Sequence, residues 1–213
     1  MKVSRFVVNP FGVNTYVMWD PESREAAIVD PGMTEEAERK ALDSFIEREG
    51  LKPVHLIDTH MHLDHIFGNM YVKGKYGLNI EAHRDDDFLA RTLEEQVKRF
   101  RMPVDAVNHG LDVELHDGER LRLGKEPVDI IAVPGHSPGS IALYCPESNF
   151  VITGDALFRG SIGRTDLPKG DFDTLITSIR TRLMTLPADT VVLPGHGPET
   201  TIGDELNSNP YIR

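Results

Sequence analysis

Residues 59–65, THMHLDH, place His60, His62, Asp64 and His65 within six positions, and all four are side chains that ligate divalent metal ions. With 9 His in 213 residues, the pattern His-x-His-x-Asp-His arises by chance in roughly one such chain in a thousand, so it needs a cause. Three further metal-competent residues stand in similar settings. His136 and His196 each close a Pro-Gly-His tripeptide after an apolar run, IIAVPGH and VVLPGH, and Asp155 closes FVITGD. HLIDTH ends in the same way at His60. Proline ends a β-ladder and glycine permits a tight turn, so each side chain is projected from a strand end on a short, stiff loop. If those strands lie side by side, His60, His62, Asp64, His65, His136, Asp155 and His196 converge on one rim. A single zinc takes three or four protein ligands, so seven candidates point to two divalent ions. Five imidazoles and two carboxylates suit zinc first, with iron or manganese as alternatives, and no nearby thiolate suggests a cysteine-type zinc or an iron–sulfur cluster. An aspartate suits the place between two cations, because it has an oxygen for each. His55, His83, His109 and His116 lie outside the pattern and read as surface or hydrogen-bonded core residues.

The elements that must position these groups are those of a mixed α/β chain. KVSRFVV, TYVMWD and EAAIVD are three short strands bounded by turn formers. TEEAERKALDSFIEREG predicts an amphipathic helix with Thr34 as N-cap, Ala37, Ala41, Leu42, Phe45 and Ile46 on one face, and Gly50 as the stop. PVHLID is a strand that runs into the histidine cluster. IFGNMYVKGKYG and HRDDDFLARTLEEQVKRF read as helical, with Asp85 to Asp87 as an exposed first turn favoured by the helix dipole rather than a calcium site. DVELHDGERLRLG predicts a hairpin around Asp117-Gly118. PVDIIAV, SIALYC and NFVIT are further strands. DFDTLITSIRTRLMTL is a helix capped by Asp171, with Phe172, Leu175, Ile176, Ile179 and Leu183 facing inward, and TVVL is the last strand.

Size and composition bound the rest. At 39% hydrophobic and 27% charged residues the chain reads as globular, and one domain over residues 1–213 is expected. A net charge of −11 argues against a nucleic-acid partner, which needs a basic face. No stretch approaches a membrane span, and the start lacks the apolar core of a secretory signal. A single Cys145 forms no intrachain disulfide and reads as a packed strand residue, consistent with a reducing, cytoplasmic setting. Oligomeric state is not legible.

With all seven positions filled, the sequence resembles the metallo-β-lactamase superfamily over nearly its whole length. That resemblance implies a four-layer αββα sandwich with a binuclear site at the sheet edges. It implies that His60, His62 and His136 hold one metal, that Asp64, His65 and His196 hold the second, and that Asp155 bridges them together with a hydroxide. Asp30, in IVDPG, matches a family position that supports the ligands. GDALFRGSIGRTDLPKGD and the closing NPYIR look like the glyoxalase II group, particularly its short prokaryotic members. In longer members a basic residue after Gly-Cys-Gly contacts the glutathione carboxylate. Here the segment reads Ser161-Ile162-Gly163-Arg164, which keeps the charge at Arg164 without the cysteine, and neither the C-terminal helical domain nor the Tyr after the last histidine is expected.

The resemblance therefore implies a small-molecule acyl-thioester substrate, S-2-hydroxyacylglutathione, attacked by a metal-bridging hydroxide that Asp64 orients as a catalytic residue, with Arg164 binding the acidic tail. Persulfide dioxygenases share the signature and a Gly-Arg-Thr-Asp segment, here Gly163 to Asp166, but bind a single iron, which would rest on His60, His136 and Asp155. A metal-dependent phosphodiesterase ranks third, because the chain is acidic and lacks a basic, aromatic-rich segment. Flavodiiron proteins resemble His-x-Glu-x-Asp-His instead, and His62 stands where that Glu would be.

Overall fold

The computed structural model describes Met1–Arg213. Six strands form the first sheet in chain order: Lys2–Val8 (β1), Val13–Trp19 (β2), Glu25–Val29 (β3), Lys52–Ile57 (β4), Ile80–Ala82 (β5) and Val113–Glu114 (β6). Between them lie the helices Glu36–Glu49 (α1), Leu63–Ile66 (α2), Asn69–Tyr76 (α3), Asp87–Ala90 (α4) and Leu93–Arg99 (α5). The second sheet contains Arg120–Leu123 (β7), Glu126–Ala132 (β8), Ile141–Cys145 (β9) and Phe150–Gly154 (β10). After a small ribbon of Leu157–Phe158 (β11) and Ser161–Ile162 (β12), it is completed by Val191–Pro194 (β13) and Thr200–Thr201 (β14). Its order is β14-β13-β10-β9-β8-β7. Helix Phe172–Ser178 (α6), prolonged by a π-turn at Ile179–Leu183, and helix Ile202–Ser208 (α7) follow in the same half.

Alternation along the strands explains why the sheets stack. Val17, Trp19, Ala26 and Ile28 join the core shared with helices α1 to α5, whereas their neighbours Tyr16, Met18, Ala27 and Val29 face Ile130, Leu143 and Ile152 of the second sheet. Val151 and Val192 turn outward onto Leu175, Ile179 and Leu183 of the α6 region. Each sheet thus buries both faces, and the layers run α, β, β, α. Cys145 is buried between the sheets, where burial pushes its thiol far above the ordinary range and leaves it unreactive.

Direction matters for the site. β8 and β10 are both antiparallel to β9, and β13 is parallel to β10, so β8, β10 and β13 end on the same edge. β4 ends against them, with Thr59, two residues past its end, accepting at its carbonyl the Ile141 N–H at 2.8 Å.

Four local expectations are corrected. Thr34 is not the N-cap of α1; Glu35 is, and Glu38 reaches back to the backbone N–H groups of Thr34 and Glu35 at 2.8 and 3.0 Å. Asp117-Gly118 does not close a hairpin, because β6 pairs with β5 and β7 with β8, so that turn carries the chain from one sheet to the other. The acidic run is not an exposed turn: Asp85 is exposed, but Asp86 is fully buried. Phe172 is 48% exposed, off the buried face of α6.

Candidate metal centre

The strand ends bring all seven predicted ligands together. His60 and His62 follow β4, Asp64 and His65 lie on α2, His136 follows β8, Asp155 follows β10, and His196 follows β13. The loops are gripped from both sheets. Asn14 of β2 donates its backbone N–H to the Gly195 carbonyl at 2.7 Å and its amide to Pro194 and Gly197, and the Tyr16 hydroxyl donates to Pro194 at 2.8 Å. Helix α6 holds the other Pro-Gly-His loop from both ends, since the N–H of its N-cap Asp171 bonds the Gly135 carbonyl and the hydroxyl of its last residue, Ser178, donates to that of Pro134. Gly135 has φ of 131°, and a Cβ there would lie 2.3 Å from the Leu175 nitrogen, so only glycine lets this loop approach α6. Asn9 tethers the Asp64 carbonyl at 2.9 Å.

Among the seven predicted ligands two groups of ligand atoms result, His60 with His62 and His136, and Asp64 with His65 and His196, each within 4.8 Å, while Asp30 makes a further such group with His60 and His65. His136 Nε2 lies 2.8 Å from His62 Nδ1 and 3.3 Å from His60 Nε2. Three imidazole nitrogens facing one point repel through their lone pairs unless a cation lies among them. Tetrahedral zinc with bonds of about 2.05 Å places its nitrogens roughly 3.3 Å apart. In the second group His196 Nε2 is 3.4 Å and His65 Nε2 3.8 Å from Asp64 Oδ2. Asp155 stands between the groups: Oδ2 is 3.6 Å from His136 Nε2 and 3.5 Å from His196 Nε2, and Oδ1 is 3.4 Å from His65 Nε2. These separations are long for hydrogen bonds and ordinary for ligands of a common ion. His65 Nε2 and Asp155 Oδ1 are buried without a hydrogen-bond partner, as ligand atoms awaiting a cation would be. The residues present fit two divalent ions.

Four of the five histidines spend their other nitrogen on orientation. His65 Nδ1 bonds Asp30 Oδ2 at 3.1 Å, His136 Nδ1 the Arg164 carbonyl at 2.8 Å, His196 Nδ1 the Phe11 carbonyl at 3.2 Å, and His60 Nδ1 contacts Thr59 Oγ1 at 3.2 Å. Asp30 is itself fixed by Thr59 N–H and Oγ1, both at 2.7 Å. Burial, reinforced by the neighbouring histidines, holds His60 well below the usual imidazole range, and burial with His136 pushes His62 down to about 3. Both are neutral and ready to donate a lone pair. Burial opposes charge on His65 and His196 too, but the carboxylates of Asp155 and Asp64 outweigh it and raise both. Asp155 and Asp64 in turn stay ionised below the usual carboxylate range, because His65 and its neighbours outweigh their burial.

Asp86 is the residue the sequence reading missed. It sits in the turn after β5 and accepts hydrogen bonds from Met61 N, Ser137 Oγ and Gly139 N. Within the run Asp85-Asp86-Asp87 no local pattern sets it apart from its neighbours. Arg164 lies at the rim, with its guanidinium paired to both oxygens of Asp166 at 2.6 and 2.7 Å.

A groove of about 1170 Å³ opens over the centre. Its floor includes His62, Asp64, His136, Asp155 and His196; one wall is built by α4, α5 and the following turn, with Phe88, Phe100 and Met102, and the other by Arg164 to Pro168. No helix is long and apolar enough to cross a membrane.

Comparison with known proteins agrees with this geometry. Residues 8–196 match the metallo-beta-lactamase superfamily. The chain is 42% identical to the hydroxyacylglutathione hydrolase GloC of Haemophilus influenzae, covering 100% of this chain and 98% of that one. It is 36% identical to the probable metallo-hydrolase YqgX of Bacillus subtilis, with the same coverage. Among solved structures it is similar to TTHA1623 in a di-iron-bound form, at 34% identity and a TM-score of 0.85 over 98% of this chain and 99% of that one. It is also similar to ETHE1 from Myxococcus xanthus, at 27% identity and a TM-score of 0.79 over 99% and 84%.

Proposed function

The chain belongs to the metallo-beta-lactamase superfamily, and from that premise we propose that this metallo-hydrolase cleaves acyl thioesters, with an S-2-hydroxyacylglutathione such as S-lactoylglutathione as substrate. The observation that carries the reading is Asp155, a single carboxylate within 3.6 Å of one imidazole group and 3.5 Å of the other, at the floor of a groove. His60, His62 and His136 would hold one ion, Asp64, His65 and His196 the other, with Asp155 shared. Two divalent ions held there, zinc in the first instance and iron or manganese as alternatives, would supply a water of lowered pKa and polarise the substrate carbonyl. Asp64, whose Oδ2 is 3.4 Å from His196 Nε2, would orient the attacking water by accepting its hydrogen bond at the other oxygen. The departing thiolate, with a pKa of about 8.5 to 9, needs no strong general acid, so a site without a separate proton donor suffices.

The groove also bears on the thiol carrier. Apart from the candidate ligands, its charged residues are Glu95, Arg99, Arg164 and Asp166, two of each sign. Balanced walls suit a zwitterionic peptide thiol better than a polyphosphate carrier, which would need several cations. Similarity to GloC supports the same carrier. His60, His136 and Asp155 by themselves also form a facial set, with contacts of 3.3 and 3.6 Å, which is what a mononuclear iron persulfide dioxygenase would use. Parallel assays separate the readings: thiol release from S-lactoylglutathione supports hydrolysis, whereas stoichiometric oxygen uptake on glutathione persulfide without thioester cleavage overturns it.

A further inference from the structure

The first imidazole group is assembled from two loops that are far apart in sequence. His60 and His62 come from the turn after β4, and His136 from the turn after β8. A shared ion tolerates little error in their relative position, since useful metal–ligand distances vary by only about ±0.2 Å. Something must therefore fix one loop against the other before any ion arrives.

Asp86 occupies the place where that can be done. Its carboxylate is fully buried and belongs to neither loop. Oδ2 accepts the N–H of Met61, the residue between His60 and His62, at 3.1 Å, and also the hydroxyl of Ser137, next to His136, at 2.6 Å. Oδ1 accepts the N–H of Gly139 at 2.7 Å. Ser137 Oγ is in addition 2.7 Å from Ser140 Oγ, which ties the hydroxyl into the turn. A Cβ on Gly139 would lie 2.7 Å from the Asp86 Cγ, so glycine is what lets this backbone close on the carboxylate. Three donors converge on one acceptor-only group, and such charge-assisted bonds are short and directional. An amide at this position would have to turn its NH₂ toward one of the three donors, leaving a buried N–H unpaired.

We propose that Asp86 is the positioning residue of the first metal group, a clamp that sets the His60–His62 turn against the His136 turn and so fixes that group's affinity for its ion, without contacting ion or substrate. The second group does not depend on it, because His65 is oriented by Asp30 and His196 by the Phe11 carbonyl. The proposal rests on the two-ion reading of the centre and is independent of which thioester is cleaved.

The test measures zinc affinity of metal-stripped protein by competition with a chromophoric chelator, in two backgrounds that each keep one group. In His196→Ala, where the first group remains, adding Asp86→Asn weakens zinc binding by about 10–100-fold. In His136→Ala, where the second group remains and the first has lost the ligand from its second loop, the same change leaves the affinity within about twofold. A merely structural role would lower thermal stability and both affinities alike, and that result, or no change in either background, overturns the proposal. If Asp86→Asn does not fold, Ser137→Ala decides: it keeps the carboxylate and removes one donor, and should show a smaller loss confined to the first group. Wild-type protein is the control for the premise. Failure of the unmutated chain to bind two zinc ions would sink the two-ion reading itself, whatever Asp86 does.

Discussion

Gly195→Ala offers a severe test of where Asp155 stands. A Cβ at Gly195 would lie 2.2 Å from Asp155 Oδ1 and 2.9 Å from His65 Cε1. Ordinary contact begins near 3.4 Å, so the methyl group is about 1 Å too close to the carboxylate. Asp155 lies against His65, His136 and His196, so displacing its carboxylate alters its distances to both groups of ligands. A misplacement of about 1 Å in a reacting assembly costs roughly 100-fold in rate, and overpacking costs about 1–3 kcal/mol in stability. Gly195→Ala should therefore remain folded, bind fewer than two ions per chain and lose about 100-fold in kcat/KM on S-lactoylglutathione. Gly197→Ala is the control from the same loop: it strains a residue at φ 75° but meets no atom within 4 Å, so it should cost stability and leave metal stoichiometry unchanged. Elemental analysis, thioester hydrolysis and thermal melting measure these quantities. Two tightly held ions with normal turnover in Gly195→Ala would refute the placement of Asp155 as the shared carboxylate.

Three further outcomes are expected. Because Asp155 and Asp64 raise His65 and His196, protons compete with the second ion, and chelator competition should show its affinity falling as pH drops from 7.5 to 5.5; constant affinity across that range would contradict the assignment. Arg99→Ala should raise KM several-fold, by up to about 1 kcal/mol, with kcat unchanged, whereas Arg164→Ala should raise it less because Asp166 already holds that guanidinium; equal effects in steady-state kinetics would count against the groove reading. The Glu81 hydrogen bond raises His55, so the proton on His55 stabilises the fold below the unfolded pKa, and this contribution is lost as pH rises through the folded value. Denaturant titrations should show His55→Gln lacking a loss of under about 1 kcal/mol that the unmutated protein undergoes between pH 6 and 8.

The site was legible in the sequence where local chemistry and strand patterning coincide. Apolar runs ending in Pro-Gly-His or Gly-Asp placed His136, Asp155 and His196 at strand ends, and β8, β10 and β13 do end on one edge. The Asp171 cap of α6 was legible for the same reason, a side chain bonding the Thr174 N–H three residues on. Long-range partners were not. Asp117-Gly118 has the composition of a hairpin turn, but the flanking strands find partners in different sheets, which no local signal reveals. Asp86 looks like its exposed neighbour Asp85, and only the tertiary approach of Met61, Ser137 and Gly139 makes it a buried clamp. The charge of Arg164 is what stands out in the sequence, while its carbonyl, which no side-chain pattern reports, is what holds His136.

The central claim is that two ions share one carboxylate at this groove. Its most direct measurement is the metal content of protein purified without added metal or chelator, compared in the unmutated chain and in Asp155→Ala. Two divalent ions per chain, with both stoichiometry and thioester hydrolysis collapsing together in the variant, is the predicted result. One ion per chain in the unmutated protein, or full occupancy and turnover without Asp155, would contradict it.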